Sequence, residues 1–250
     1  MMPDLSGQAV LITGAGRGLG RSTALHLAAC GARIGIAERD RESCEDAAAE
    51  IRQAGGTAFA YPADVSSRDK FLEVAAAFRA DCGPIDAVVN NANIIHYEPI
   101  EAVTEEVFDR MLAIGLKACV WGTQALLAHM DPRRGGCIVN LSSPVGLRGF
   151  PNTSAYASIK GAINSLTRTL AVELGPRRVR VNAVAPGSVP TPGARKFTTD
   201  EDYRLRAATV PLRRVGEDAD NFNAIAFLLS REASFITGQV LYVDGGITVS

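Results

Sequence analysis

The sequence predicts an α/β fold, a doubly wound parallel β-sheet with helices on both faces, built as a single domain over residues 1–250. Three observations carry that expectation. Short apolar runs alternate with longer stretches of helical period, the pattern of right-handed crossovers between parallel strands. A length of 250 residues suits one large domain with a substantial core. A glycine-rich turn stands between the first apolar run and the first helical stretch, where sheets of this class receive a ligand.

The elements follow in order. QAVLIT (8–13) is the first strand, and residues 18–30 continue as a helix directly after the turn. ARIGIA (32–37) with helix 41–54, then TAFAYPA (57–63) with helix 67–81, repeat the strand-helix unit. IDAVVN (85–90) is the fourth strand. Residues 104–130 have the length and apolar spacing of a helix, yet Gly115 in LAIGLK lies in its interior. That glycine costs about 1 kcal/mol relative to Ala, so something other than helix stability selects it. GCIVNLS (136–142), helix 154–174, RVRVNAVA (178–185), helix 217–230 and QVLYVD (239–244) complete the pattern. Residues 187–216, rich in Pro, Gly and Arg, have no clear period and are expected to form a substrate loop, because long irregular segments in compact domains serve as lids or binding loops.

Composition narrows the function classes. Hydrophobic residues at 47% and charged residues at 21% describe a soluble globular chain, and a net charge of -1 offers no electrostatic ground for nucleic acid or an anionic membrane. The start MMPDLSGQAVLITG lacks a basic region followed by a long apolar one, and no continuous apolar run reaches the length of a membrane span, so the expected location is the cytoplasm. Cysteines 30, 44, 82, 119 and 137 are odd in number and scattered, as buried thiols of a reducing compartment are. His26, His96 and His129 share no metal-ligand spacing, and no metal is expected.

The turn itself reads TGAGRGLG (13–20). The strict GxGxxG template fails, because it puts Leu19 in the last glycine's place, but the strand, turn and helix context suits a pyrophosphate at a helix N-terminus. Gly14, Gly18 and Gly20 can supply the tight turn, the close backbone approach and the helix packing. About 20 residues beyond the loop, the second strand ends at Glu38, where an acid grips a ribose diol. Glu38 disfavours a 2'-phosphate and so favours NAD. Arg39 and Arg17 favour that phosphate, which keeps NADP possible. In SAYASIKGAINSL, Tyr156 and Lys160 are four residues apart on one helix face, and an ammonium near a phenol favours the phenolate. Ser142 and Ser143 stand at the carboxyl end of the preceding strand, the ligand-binding edge of a parallel sheet.

Together TGxxxGxG (13–20), Asp64 in ADVS, NNA (90–92), Ser143 before Tyr156, Lys160, Pro186-Gly187 and the ending ITGQVLYVDGG closely resemble the short-chain dehydrogenases/reductases over essentially the whole chain. The resemblance implies a Rossmann-like domain, a nicotinamide cofactor, and hydride transfer between a carbonyl and a secondary alcohol. It implies Tyr156 as acid/base, Lys160 as the ribose-binding residue that lowers the tyrosine pKa, and Ser143 as the holder of the substrate oxygen. It further implies Asp64 and Val65 at the adenine, and Asn90, Ala92, Pro186, Gly187, Val189 and Thr191 along the cofactor, with Arg17 and Leu19 in the glycine turn.

Two positions depart from that family pattern. Asn93 stands where NNAG has its last glycine, a replacement that tolerates positive φ and brings a polar side chain to the nicotinamide end. Gly115 stands where the family usually carries an Asn that helps hold a proton-relay water. A backbone relay, a replacement water chain, or a cofactor-binding sensor or scaffold with weakened catalysis are the three readings of that change. The expected substrate is a small or medium carbonyl or alcohol compound, in a pocket walled by Ile94, Ile95, His96, Tyr97, Pro144, Val145, Leu147, Phe150 and the 187–216 loop. Arg195 and Lys196 in that loop are anion contacts or exposed charge. From Met111 to Trp121 the only charged residue is Lys117, so this helix needs a second packing partner, matching the homodimers and homotetramers of the family.

Overall fold

A computed structural model describes residues 2–196 and 198–250; Met1, Phe197 and the side chain of Lys196, where an anion contact is one reading, lie outside the described residues. The strands are β1 (Ala9–Thr13), β2 (Arg33–Glu38), β3 (Thr57–Pro62), β4 (Ala87–Asn90), β5 (Gly136–Leu141), β6 (Val179–Pro186) and β7 (Val240–Val243). They form one seven-stranded sheet in the order β3-β2-β1-β4-β5-β6-β7, and every pairing is parallel. Strand order reverses between β1 and β4, which opens a crevice at their carboxyl ends.

Helices α1 (Gly18–Ala29), α2 (Arg41–Gln53), α3 (Arg68–Cys82), α4 (Glu105–Leu112), α5 (Ala118–His129), α6 (Ser154–Leu174), α7 (Asp200–Thr209) and α8 (Asp218–Leu229) cover the sheet. Alternation along β1 feeds two cores. Val10 and Ile12 join Leu27, Ile34, Ile51 and Leu228 on one face, while Leu11 joins Phe71, Phe78, Val88 and Leu126 on the other. Burial on both faces is why these strands are apolar throughout.

Two expectations change. The segment 187–216 is not wholly irregular, since α7 lies inside it. Thr199 and Asp202 form a reciprocal cap at its start, but only Tyr203 of the helix is buried, so no apolar stripe announces it in the sequence. The stretch 104–130 is not one uniform helix either: α4 and α5 are joined by a π-helical turn, Ala113–Lys117, centred on Gly115. Such turns insert one residue into a helix and occur often at functional sites. A Cβ at 115 would lie 2.9 Å from Ile159 Cγ2 of α6, so the glycine also permits a close approach of the two elements.

The span Glu105–His129 is the one candidate, among the described residues, with the length and hydropathy to cross a membrane. Here its apolar side chains serve the fold, with Leu126 and Ala125 in the second core and Met111 and Cys119 against α6. A buried polar chain aligns α6 on the sheet. Asn90 Nδ2 donates to Asn140 Oδ1 at 2.8 Å, and Asn140 Nδ2 donates to Thr167 Oγ1 at 3.0 Å. Partners are needed there because an unsatisfied buried polar group costs about 1–3 kcal/mol. All five cysteines are free and buried.

Candidate active site

The crevice holds a cavity of about 550 Å³. One end is built where β1 turns into α1. Asn91 Nδ2 donates to the carbonyls of Thr13 and Gly14 at 2.9 and 3.0 Å, and Thr13 Oγ1 accepts the N–H groups of Asn91 and Ala92, both at 3.0 Å. The loop after β4 is thereby clamped to the glycine turn. Gly14 has φ +64°, a conformation glycine adopts at no steric cost, and a Cβ at Gly20 would lie 2.2 Å from the Gly14 carbonyl oxygen. Gly18, Leu19 and Gly20, in the first turn of α1, face the cavity. The N–H groups of a helix's first turn have no intrahelical acceptor and carry the positive dipole end, which fits a pyrophosphate.

Glu38, at the end of β2, faces the cavity and is buried. Its carboxylate accepts the backbone N–H groups of Arg39 at 2.8 Å, Asp40 at 3.2 Å and Gly16 at 3.4 Å. Those bonds fix an acid beside the loop where a ribose would lie. Arg17, Arg39, Asp64 and Val65 complete that wall. Ala92, Pro186, Gly187, Val189 and Thr191 line the cavity further along. Asn90 does not: its side chain is buried below the floor in the chain to Asn140, and its Oδ1 leaves no room for a side chain at Gly122. Its position fits a brace rather than a cofactor contact.

At the other end stand Ser143, Tyr156 and Lys160. Ser142 also borders the cavity, but its hydroxyl donates to Asn164 Oδ1 at 2.5 Å, which leaves the Ser143 hydroxyl beside the phenol. Tyr156 is buried on α6, and the edge of the Tyr97 ring meets it with centroids 5.6 Å apart. Burial pushes the phenol well above its ordinary range, Tyr97 adds to this, and hydrogen bonds from Asn93 and Ser143 pull it back. Lys160 donates from Nζ to the Leu141 carbonyl at 2.7 Å and lies 5.4 Å from the Tyr156 ring centroid. Burial lowers its pKa to about 8, with the nearby Cys119 opposing. The lysine's hydrogen bond goes to the backbone, not to the phenol.

Sequence reasoning missed two contributors and left a third without its partner. Asn91 braces the glycine turn, and α7 carries Tyr203 and Arg206 to the cavity. Asn93 reaches Tyr156, its Nδ2 lying 3.1 Å from the phenol oxygen. Only the departure from NNAG hinted at the last of these. The apolar wall is also narrower than expected. Ile94, Ile95 and Tyr97 line it, but His96 turns to Glu98, with Nε2 3.0 Å from Oε2. Pro144, Val145, Leu147 and Phe150 stand outside the cavity; Leu147 is exposed, and Phe150 borders a separate shallow cleft. Arg195 pairs with Asp200 at 2.6 Å on the surface, which fits the exposed-charge reading.

Comparison with known proteins agrees with this geometry. The family model described as enoyl-(acyl carrier protein) reductase matches residues 14–248. The chain is 36% identical over 251 residues to the cyclopentanol dehydrogenase of Comamonas testosteroni, covering all of both chains. It is 36% identical over 248 residues to the gluconate 5-dehydrogenase of Gluconobacter oxydans (strain 621H), covering 99% of this chain and 97% of that one. The crystal structure of a candidate short-chain alcohol dehydrogenase from Sinorhizobium meliloti 1021 superposes with a TM-score of 0.94 at 35% identity, covering 99% of this chain and 98% of the other.

Proposed function

The chain belongs to the short-chain dehydrogenase/reductase family of NAD(P)-dependent oxidoreductases, and from that premise we propose that it interconverts a secondary alcohol and a ketone with Tyr156 as acid/base. One observation carries this reading: Ser143, Tyr156 and Lys160 meet in the same cavity as the glycine turn and the first turn of α1. A nicotinamide cofactor bound there supplies or accepts the hydride. The Tyr156 phenol gives its proton to the carbonyl oxygen in reduction, and its phenolate takes the alcohol proton in oxidation. Ser143 holds that oxygen, and the Lys160 ammonium binds the ribose and favours the phenolate. The apolar wall of Ile94, Ile95, Tyr97 and Val189 suits a small or medium carbonyl compound.

Titration with NADH and NADPH, followed by nicotinamide fluorescence, and then a panel of ketones and alcohols watched by absorbance, tests this reading. The panel includes cyclopentanol and gluconate because relatives carry those names. Turnover is expected. Tight binding with no turnover across the panel would instead favour a dinucleotide-binding sensor, the reading that Gly115 and Asn93 keep in view.

NAD is the cofactor we propose, on the strength of the buried Glu38 carboxylate. Glu38→Gln should shift the NADPH-to-NADH affinity ratio toward NADPH by about tenfold or more, equivalent to about 1.4 kcal/mol. An unchanged ratio would remove Glu38 from cofactor choice. Assembly as a homodimer or homotetramer fits the half-buried apolar side chains Leu112, Leu116, Val120 and Leu127 on α4 to α5. Light scattering during size-exclusion chromatography is expected to give a dimer or tetramer mass, and a monomer mass would reject the assembly. Five buried free thiols suit the cytoplasm.

A further inference from the structure

We propose that Asn93 is a positioning residue for Tyr156, its carboxamide donating to the phenol oxygen and favouring the ionised form, in space that the missing side chain of Gly115 leaves clear. The inference rests on the reading of Tyr156 as acid/base and adds a residue to that site. Asn93 follows β4, whereas Gly115 lies in the π turn between α4 and α5 and Tyr156 lies on α6. The fold brings the three together. Asn93 Nδ2 is 3.1 Å from the Tyr156 oxygen, and a Cβ built at Gly115 would lie 4.0 Å from Asn93 Oδ1. A side chain extending from 115 toward Asn93 beyond its Cβ would meet the Asn93 amide, and the Cβ itself would already crowd Ile159.

The chemistry favours an N–H donor at that oxygen. An amide can donate to a phenol and to a phenolate alike, so the contact survives both halves of the catalytic cycle. It strengthens when the acceptor is charged, because charge-assisted hydrogen bonds are roughly twice as strong as neutral ones. The benefit is greatest where burial opposes ionisation, and Tyr156 is only 5% exposed. The other groups facing the phenol are accounted for. Tyr97, beyond β4, opposes ionisation, and Ser143, after β5, favours it. Lys160 on α6 lies 5.4 Å from the ring centroid. Cys119 on α5 faces Lys160, while Arg206 and Tyr203 on α7 act on Tyr97. Asn93 is the neutral donor among them that comes from the loop carrying the substrate wall.

Tyrosine labelled with carbon-13 at Cζ reports each phenol's ionisation without turnover, and Tyr156→Phe identifies the resonance. The test is a titration of the NAD⁺-saturated protein from pH 7 to 11, in which the positive charge of a nicotinamide held in the same cavity would offset the burial that raises the phenol in the empty protein. Removing a donor that stabilises an anion raises the pKa, so in Asn93→Gly the Tyr156 midpoint should rise by about one pH unit. Asn93→Asp keeps the size of the side chain but replaces the donor with an acceptor, and it should raise the midpoint at least as far. Gly115→Asn should raise the midpoint in the native background and add little to Asn93→Gly, because both changes remove the same contact. A midpoint unchanged or lowered in both Asn93 variants overturns the proposal, as does a wild-type Tyr156 that remains a phenol through pH 11. Additive shifts from the two positions overturn their coupling. No substrate enters the titration, so the two readings fail separately. Protein that shows the shift yet turns over nothing in the panel defeats the acid/base function alone, and protein that turns over substrate with an unshifted phenol defeats the role of Asn93 alone.

Discussion

Replacing Tyr156 by Phe is expected to lower turnover about 100- to 10,000-fold, the usual contribution of a positioned general acid/base, while NADH affinity stays within a few-fold of wild type. The substitution removes one oxygen and leaves the ring packed against Tyr97, Ile159 and Ile163. Folding stability should change little. The Asn93 amide loses its acceptor, at a cost of about 1–3 kcal/mol if it finds no other, but the variant no longer buries a hydroxyl. The decisive measurement pairs single-turnover absorbance on the best panel substrate with NADH fluorescence on the same preparation. Lost turnover with retained binding separates chemistry from cofactor capture. A variant as fast as the wild type would remove Tyr156 from the mechanism and assign the proton transfer to another group.

The second large effect is expected at Gly20. A Cβ there would lie 2.2 Å from the Gly14 carbonyl oxygen and 2.4 Å from Asn91 Nδ2. Neither neighbour can yield cheaply. The first is backbone, and the second is held by two hydrogen bonds that tie the loop after β4 to the glycine turn. Gly20→Ala should therefore push the first turn of α1 away from the cavity, lower cofactor affinity at least about tenfold, and lose about 1–3 kcal/mol of stability from overpacking. For a chain of this size that corresponds to a fall of roughly 2–4 °C in melting temperature per kcal/mol. Isothermal titration with NADH and a thermal melt check the two halves. Native affinity in the variant would show that the first turn of α1 does not approach the cofactor.

Gly115 shows how two properties can share one residue. As a helix-interior glycine it is unfavourable, and the sequence marks it for that reason. The structure places it in a π turn, where the backbone departs from the regular ladder and the carbonyl of Gly115 accepts the Cys119 thiol at 3.1 Å. The Cys119 thiol itself, fully buried, is pushed up to about 12 and stays protonated beside Lys160. A proton route through this backbone would have to share the carbonyl, through its second lone pair, with that thiol. The glycine is equally a clearance for α6 and for the Asn93 amide.

Much of the architecture was legible in the sequence itself. Strand and helix periods, the glycine turn after β1, Glu38 at the end of β2, and the spacing of Ser143, Tyr156 and Lys160 are local features, set by backbone sterics, side-chain burial and residue spacing within a few turns of chain. These determined the element order, and the glycine turn, Glu38, Ser143, Tyr156 and Lys160 are among the residues that line the cavity. The hidden helix α7 escaped because its polar sequence is stabilised by a cap and one buried tyrosine instead of an apolar stripe. Asn90 ends β4 and Asn93 follows three residues later, yet one braces β5 and the other reaches the phenol. Only the tertiary structure decided between these roles, because each depends on which side chains of β5, α6 and the π turn arrive within hydrogen-bonding distance once elements remote in sequence have packed.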